Sequence, residues 1–335
     1  MRNSPFAGLT RPRTRRDLIA SGVTWGRLRG PAWQQTTHGH YLPAGVDTTM
    51  VLQRILNAGV GMPAGAAVAG WASARVLGVE ECDGLGLDGR EVLAVPMALG
   101  DARVSATSAI DRWFDPLPEA DVAEVDGIRF TEARRTTFDR MRRADDLREA
   151  VVAVDQMTHA ELVSIEEMRS YVTAHAGWRG VEQARRALAL CDPLARNGWE
   201  TRLRMVWMLD AGLPRPMCNQ PLFDRYENLL GYPDLLDADA GVVFEYDGAG
   251  HRRIGQHDRD NHREELFEEH GLVVARVTRL GFEHRDALVR RMRRTRERGL
   301  RRDRRRDAWT LEIPASWGAY DAREAFAAAI RRGEI

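Results

Sequence analysis

The order of apolar segments in the last third of the chain restricts the fold more than any other feature of the sequence. The series begins with a helix whose apolar face includes Trp199 and Leu203. Three strand candidates, a polar helix, an apolar strand and an arginine-rich helix follow, at residues 217–224, 229–236, 241–247, 255–270, 272–277 and from 285 onward. Three closely spaced strands before a β-α-β crossover predict a mixed sheet that is flanked by helices.

The N-terminal segment has a different pattern. Two short helices and a glycine-containing hairpin over residues 16–42 form the outline of a winged helix-turn-helix, with Thr24 expected to cap the second helix. Arg27 and Arg29 belong to a group of basic residues around that helix, where phosphate contacts lie in this motif. A purely structural cap with the same elements is the alternative interpretation.

The region between these ends is interpreted as scaffold. Residues 48–80 are predicted to be helical, short strands are predicted at 92–95, 104–107 and 128–130, and helices with one apolar face are predicted over 136–191. The sequence thus predicts a multi-domain α/β (α+β) chain in four parts: a winged-helix domain (1–80), a mixed middle region (81–191), a nuclease-like domain with a basic helix (192–307) and a C-terminal packing segment (308–335).

The basic residues are unusual in kind. The chain of 335 residues contains 49 basic and 49 acidic residues, and every basic residue is an arginine. No mechanism in this protein can use a lysine as an acid, a base, a Schiff base or a phosphate ligand. This composition argues against protein kinases and P-loop NTPases, which depend on such a lysine.

The charge is also unevenly distributed. Residues 285–307 contain twelve arginines and four acidic residues, a local net charge of 12 − 4 = +8 in a chain whose net charge is +0. A concentrated basic segment favours an anionic partner that binds at one place. Arg290 and Arg294 in this tract are candidate DNA contacts, and a solvated charged face is the alternative.

Composition limits the compartment and the class of protein. Hydrophobic residues make up 44% of the chain, which is enough for globular cores, and no apolar run reaches the length of a membrane span. Three distant cysteines and a start without an apolar secretory segment predict a cytoplasmic protein with buried thiols.

The strand candidate at residues 241–247 contains the two carboxylates that most strongly suggest a functional site. Side chains alternate along a strand, so Glu245 and Asp247 share one face while Phe244 and Tyr246 point to the other. Burying carboxylates without partners is costly, and a divalent cation removes that cost.

Three further residues are expected near this strand end. Asp234 lies on the preceding strand candidate, His251 follows a Gly-Ala-Gly turn, and Glu200 lies at the edge of the apolar face of its helix. An oxygen-rich group of this kind suits Mg²⁺ or Mn²⁺ rather than zinc. Such a site can hold a phosphodiester and activate water for its hydrolysis. Taken singly, Glu200 is more often a solvated helix residue, His251 is an ordinary loop histidine, and Asp234 after proline is a common turn residue.

Residues 199–278 resemble the Vsr-like (very-short-patch-repair-like) branch of the PD-(D/E)XK endonuclease-fold domains. The resemblance rests on the segments WETRLR, GYPDLL, VVFEYDGAGH, QHDRDNHR and HGLVVARVT. The whole chain is also similar to bacterial proteins in which an AbiEi-type antitoxin winged helix precedes such a domain. The resemblance implies a restriction-endonuclease-like mixed sheet that carries a metal-dependent nuclease site.

The resemblance also implies a role for each matching residue. Asp234 and Glu245 would ligate the metal, and the Tyr246 carbonyl would be an extra ligand. Glu200 would assist through water, and His251 would take part in proton transfer.

Further matching positions lie around this set. Asp247 stands where the archetype has lysine, a change that the Vsr-like branch tolerates. Gln256, Asp260 and Arg263 match the family on one face of the following helix. Arg263 would meet phosphate or pair with Asp260, and Arg252 is a further candidate DNA contact.

The predicted function is therefore divalent-metal-dependent DNA cleavage, in DNA repair or phage defence. A homodimer is expected if both strands are cut. The alternative is a non-catalytic DNA-binding regulator with a degenerate nuclease domain, which would act like an antitoxin with a toxin partner. A structural scaffold for a neighbouring toxin is the third interpretation.

Overall fold

The computed structural model describes residues 4–37, 39–105, 107–248 and 263–317, and it divides the chain into two compact units, residues 1–189 and 190–335. The fold is mixed α/β, as the sequence predicts, and each unit has buried hydrophobic clusters of its own. No helix in the part that the structure describes is long and apolar enough to cross a membrane. Cys82, Cys191 and Cys218 are buried and form no disulfide, as expected.

The first unit begins with a three-stranded antiparallel sheet and two short helices. Its elements are β1 (Arg13–Thr14), α1 (Arg15–Ala20), α2 (Trp25–Leu28), β2 (Trp33–Gln35) and β3 (His40–Pro43), with strand order β1-β3-β2. The predicted hairpin is present, and Thr24 caps α2 because its hydroxyl accepts a hydrogen bond from the Arg27 backbone N–H. Leu18, Leu28 and Tyr41 form a small core between the helices and the sheet.

A five-stranded mixed sheet follows in the same unit. Its elements, with two helices between them, are α3 (Val51–Val60), β4 (Ala67–Val68), α4 (Gly70–Val76), β5 (Val95–Ala98), β6 (Ile110–Trp113), β7 (Val122–Val125) and β8 (Ile128–Thr131). The strand order is β6-β5-β4-β8-β7. The sheet therefore combines β4, from the segment predicted as the first domain, with four strands from the predicted middle region.

The strand predictions for this region are correct in part. The strand at 128–130 is confirmed as β8, whereas the strand predicted at 92–95 begins only at Val95. The Leu93 backbone N–H donates instead to the Gly84 carbonyl across a turn. The prediction of a strand at 104–107 is wrong for Val104 and Ser105, which lie in a loop where the Val104 carbonyl accepts a hydrogen bond from Arg112 on β6. Thr107 forms an isolated bridge with Ile110, and residue 106 lies outside the described residues.

Four helices complete the first unit, and they confirm the helical prediction for residues 136–191. They are α5 (Ala133–Arg143), α6 (Leu147–His159), α7 (Ile165–Ala174) and α8 (Val181–Leu190). Glu132, Asp146 and Ser164 cap the first three of them with side-chain oxygens. These caps satisfy backbone N–H groups that a helix leaves unpaired at its start.

The second unit contains the predicted mixed sheet. Its elements are α9 (Gly198–Met205), β9 (Met217–Cys218), β10 (Leu222–Asp224), β11 (Leu229–Gly231), β12 (Leu235–Asp237), β13 (Val242–Asp247), α10 (263–269), β14 (Val273–Thr278), α11 (Arg279–Glu283), α12 (Arg285–Leu300) and β15 (Trp309–Thr310). The main sheet has the order β14-β13-β12-β9, with β13 and β14 parallel and the other pairs antiparallel. Strands β11, β10 and β15 form a second, antiparallel sheet.

Two predicted strands each divide into two in this unit. The strand at 217–224 breaks where Asn219 adopts a φ of 48°, and the strand at 229–236 breaks at Gly231, whose φ is 145°. A Cβ atom at position 231 would lie 3.1 Å from the Phe267 ring, so the close packing of α10 favours glycine there. The halves that leave the main sheet pair with each other as β10 and β11.

Strand β13 alternates as the sequence predicts. Phe244 packs with Leu203 of α9 and Met292 of α12 on one side of the sheet. Val243 packs with Phe267 of α10 on the other side. The sheet is therefore covered on both faces, and Glu245 lies on the same face as Val243.

Candidate active site

Asp234 and Glu245 meet at the ends of neighbouring strands. The antiparallel register of β12 and β13 pairs Leu235 with Phe244, which places the preceding Asp234 opposite Glu245. The Tyr246 backbone N–H donates to Asp234 Oδ2 at 2.7 Å, and the Asp234 backbone N–H donates to Glu245 Oε1 at 3.3 Å. Each carboxylate thus accepts a backbone hydrogen bond from the opposite strand, which fixes both side chains at one sheet edge.

Glu200 is held in the first turn of α9, where it is 4% exposed. Asn219 donates through Nδ2 to Glu200 Oε2 at 2.8 Å, and Asn197 donates to Oε1 at 2.6 Å. The Asn219 backbone N–H also donates to the carbonyl of Pro233, the residue before Asp234. These bonds tie Glu200 to the strand that carries Asp234, as the sequence-based hypothesis requires.

Asn219 is a site residue that the sequence analysis missed. Its left-handed backbone ends β9 and turns its side chain amide to Glu200. Asparagine tolerates this conformation better than most residues. The sequence signal is therefore an asparagine inside an apparently continuous strand.

Two arginines accompany the carboxylates. Arg263 of α10 donates to Glu245 Oε2 at 2.8 Å, an ion pair that the sequence did not predict. The two roles predicted for it, a phosphate contact and a pair with Asp260, stay predictions. Arg196 lies before α9, with its guanidinium 5.2 Å from the centre of the Tyr232 ring. Burial lowers the pKa of Arg196, and the negative charges of Glu200 and Asp234 partly oppose that shift.

The environment favours protons on the two buried glutamates. Burial, followed by the negative charge of Asp234, raises the pKa of Glu200 and of Glu245 to about 8. Arg196 lowers the pKa of both groups, and Arg263 lowers that of Glu245, without cancelling the shift. A cation placed among these carboxylates would favour their ionised forms.

The chain offers only a small set of oxygen ligands for Mg²⁺ at this site. Among the described residues, no three His, Cys, Asp or Glu side chains are placed to share one metal ion. Mg²⁺, however, is commonly bound through one or two carboxylates together with waters and substrate phosphates. Asp234 and Glu245 supply two carboxylates, and the Tyr246 carbonyl is a further oxygen of the same strand end.

Of the other predicted site residues, the structure describes Asp247 but not the four that follow it on the chain. Asp247 lies at the end of β13, is half-buried and pairs in register with Thr278 of β14. His251, Arg252, Gln256 and Asp260 lie outside the described residues. Their predicted roles therefore stay predictions.

The arginine tract of α12 is not one functional surface. Arg293 donates to the Ala211 carbonyl at 3.0 Å, and Arg296 pairs with Asp237 at 2.7 Å. These arginines fasten α12 to Ala211, beyond the end of α9, and to β12. Arg290 and Arg294, in contrast, are exposed on the side of the helix opposite Met292. In the first unit, Arg27 and Arg29 are exposed as well.

An aromatic pair supports the end of β13 on the face opposite Glu245. The Trp199 and Tyr246 rings stack with their centroids 5.2 Å apart and an interplanar angle of 6°. The guanidinium groups of Arg202 and Arg279 lie 4.9 and 5.7 Å from the Trp199 ring. From the sequence, Trp199 is predicted only to lie on the apolar face of its helix.

Comparisons with protein-family models, with curated proteins and with solved structures find no match to this chain. The resemblance to Vsr-like domains therefore stays a prediction that rests on the quoted segments. The geometry of Glu200, Asp234 and Glu245 carries the functional argument.

The raised glutamate pKa values predict a pH dependence of stability in the metal-free protein. Between about pH 5 and 8 the folded state binds more protons than the unfolded state, so the free energy of unfolding falls as pH rises. The slope is about 1.4 kcal/mol per pH unit for each proton released on unfolding. Glu200→Gln removes one such group and is expected to make the slope shallower in urea unfolding with EDTA.

Glu297→Gln is the matched control for this measurement. Glu297 is exposed on α12, so its replacement is expected to leave the wild-type slope unchanged. Equal slopes for Glu200→Gln and the wild type would show that Glu200 does not titrate in this range.

Proposed function

We propose that the chain is a divalent-metal-dependent DNA endonuclease that hydrolyses phosphodiester bonds. The observation that carries the proposal is the meeting of Asp234 and Glu245 at adjacent strand ends, with Glu200 held beside them. Two buried glutamates beside a half-buried aspartate, from three separate segments, are an expensive arrangement for stability alone. The resemblance of these segments to Vsr-like PD-(D/E)XK domains supports the same conclusion.

In the proposed mechanism, Asp234 and Glu245 would hold Mg²⁺ or Mn²⁺, with the Tyr246 carbonyl as an extra ligand. The bound ion supplies Lewis-acid polarisation of the phosphate and a lower pKa for water. The Tyr246 backbone N–H keeps Asp234 in position during the reaction. Arg263 carries a positive charge beside Glu245 and can stabilise negative charge that develops on the phosphate.

Proton transfer is assigned to the chain's own titratable groups. Glu200, with a raised pKa, can accept or release a proton through water near neutral pH, the range in which a general acid or base is most effective. His251 is proposed to assist departure of the 3′ oxygen, and Asp247 to orient water at the same strand end.

DNA binding is proposed for the winged-helix segment and for the exposed face of α12. Arg27, Arg29, Arg290 and Arg294 would contact phosphates, as would Arg252. Such contacts weaken steeply as salt concentration rises. A homodimer would provide two active sites for cleavage of both strands, and the cytoplasm would be the site of action.

The second candidate is a non-catalytic DNA-binding regulator of the antitoxin type, which would act with a toxin partner. Two observations favour it over a simple enzyme assignment. Arg263 already occupies one oxygen of Glu245, and an aspartate, Asp247, stands where the archetype has lysine. In this case the carboxylate cluster would be a structural remnant.

Cleavage of labelled duplex and single-stranded DNA with Mg²⁺, Mn²⁺ or EDTA separates the two candidates. The endonuclease proposal expects cleavage that requires metal and is lost in Asp234→Asn. A gel shift that persists while no metal supports cleavage, together with no metal binding in calorimetry, would favour the regulator. Equal cleavage by wild type and Asp234→Asn would show that the site lies elsewhere.

A further inference from the structure

A cleft with a volume of about 510 Å³ opens in the first unit. It is lined by Phe114, Asp115, Arg142, Arg143 and Arg179. This volume lies within the usual range of about 300–1,000 Å³ for small-molecule sites. The lining contains three positive charges and one negative charge, so the cleft favours an anion.

One wall of the cleft is rigid and charged. The Arg142 side chain is 2% exposed and donates to Asp139, to Asp115 at 2.6 Å and to the Arg179 carbonyl at 3.2 Å. Asp115 also accepts a hydrogen bond from Arg143. Although burial opposes the shift, these arginines hold the pKa of Asp115 below its usual range, so its charge is present at neutral pH.

Arg143 and Arg179 can each offer guanidinium N–H groups to a ligand in the cleft. Arg143 is positioned by the Trp113 ring, whose centroid lies 4.4 Å from its guanidinium carbon, and Asp115 is its hydrogen-bond partner. Arg179 is exposed, and its side chain has no hydrogen bond or ion pair with the residues that the structure describes. A guanidinium group matches phosphate oxygens in pairs, which makes phosphate the favoured anion.

Phe114 adds an aromatic surface to the same cleft. It is 51% exposed, and the guanidinium carbons of Arg103 and Arg112 lie 5.8 and 5.9 Å from its ring centroid. An exposed aromatic ring among arginines is a surface on which nucleic-acid bases stack.

We propose that this cleft binds a nucleoside phosphate, with the phosphate on Arg143 and Arg179 and the base on Phe114. The ligand chemistry is the same for a free nucleotide and for one nucleotide of a single strand. The proposal concerns the first unit and does not rest on nuclease activity in the second.

Isothermal titration of the full chain in EDTA tests the proposal. The probes are ATP, inorganic tripolyphosphate and a ten-nucleotide deoxyadenosine strand. The variants are Arg143→Gln, Arg179→Gln and Phe114→Ala. Arg185→Gln is the matched control, because Arg185 is an exposed arginine of α8 that pairs with Glu182.

Arg179→Gln and Arg143→Gln are each expected to weaken ATP binding about tenfold or more. Phe114→Ala is expected to weaken ATP but to leave tripolyphosphate unchanged, and the control is expected to bind like the wild type. Because Arg179 is exposed, its variant tests the site without disturbing the fold.

The deoxyadenosine oligonucleotide distinguishes a free nucleotide from a nucleotide within a single strand as the ligand. Tighter binding of the strand than of ATP, with the same loss in Arg179→Gln, supports a strand as the source, and the reverse order supports a free nucleotide. Absence of ATP and strand binding, or binding that no variant in the cleft weakens, would overturn the proposal.

Discussion

The proposed DNA cleavage is expected to fall at least about 100-fold when Glu245 is replaced by glutamine, because loss of a proposed metal ligand removes several kcal/mol of transition-state stabilisation. An amide is a neutral and weaker ligand for Mg²⁺ than a carboxylate. The substitution also removes Oε2, the oxygen that accepts the Arg263 hydrogen bond at 2.8 Å. The weakened metal affinity is expected to appear directly in calorimetry with Mg²⁺ or Mn²⁺.

The fold of this variant is expected to survive. The raised pKa of Glu245 means that the protonated, neutral form is already favoured at neutral pH, and glutamine resembles that form in shape and charge. Its side chain carbonyl can still accept the hydrogen bond from the Asp234 backbone N–H. Cleavage is measured at equal protein and metal concentrations, with Glu182→Gln as the control, because Glu182 is exposed on α8 and belongs to no proposed DNA-contact group. A folded Glu245→Gln protein that cleaves at the wild-type rate would remove Glu245 from the mechanism.

Replacing Asp139 with alanine is expected to lower the free energy of unfolding by about 3–5 kcal/mol, the usual cost of breaking a buried ion pair on one side. Asp139 is completely buried on α5 and accepts hydrogen bonds from Arg135 and Arg142, each at 2.7 Å. Its removal leaves two buried guanidinium groups beside the Trp178 ring, which lies 4.7 and 5.0 Å from them. At the outer ends of the network, Asp121 still pairs with Arg135, and Asp115 still pairs with Arg142 and Arg143.

Urea unfolding together with hydrogen exchange measures this effect. A urea transition of a two-unit chain does not show which unit has lost stability. Hydrogen exchange of the α5 backbone amides assigns the loss of stability to the first unit. Asp145→Asn, an exposed aspartate close to α5, is the matched control and is expected to unfold like the wild type. A change below about 1 kcal/mol for Asp139→Ala, the scale of exposed pairs, would show that solvent reaches the network.

The sequence predicts the carboxylate pair well because the relevant signals are local. Strict alternation over residues 242–247 assigns Glu245 to one face of the strand. Asp234 follows a proline just before the adjacent strand, so antiparallel pairing places it opposite Glu245. The helical phase of α9 likewise places Glu200 at the buried edge of its helix.

What the sequence does not predict depends on tertiary contacts. The strand predicted at 217–224 breaks at Asn219 because its second half, β10, pairs in a different sheet from β9. The inward pairing of Arg296 with Asp237 divides the arginine tract in a way that residue type alone cannot reveal. The spacing of Arg135 and Asp139 is typical of an exposed helical ion pair, and only the packing of the surrounding helices makes it buried.

The β12–β13 hairpin has a consequence for the order of folding events. Asp234 and Glu245 are separated by eleven positions, and hairpins of this kind form within about 1–10 μs. Arg263 is eighteen positions beyond Glu245 and arrives only when α10 docks. We therefore expect the two acidic groups to approach each other before Arg263, the partner of Glu245, is in place. Like-charge repulsion opposes this step, so hairpin formation is expected to slow as pH rises through about 4, where carboxyl groups of the unfolded chain ionise.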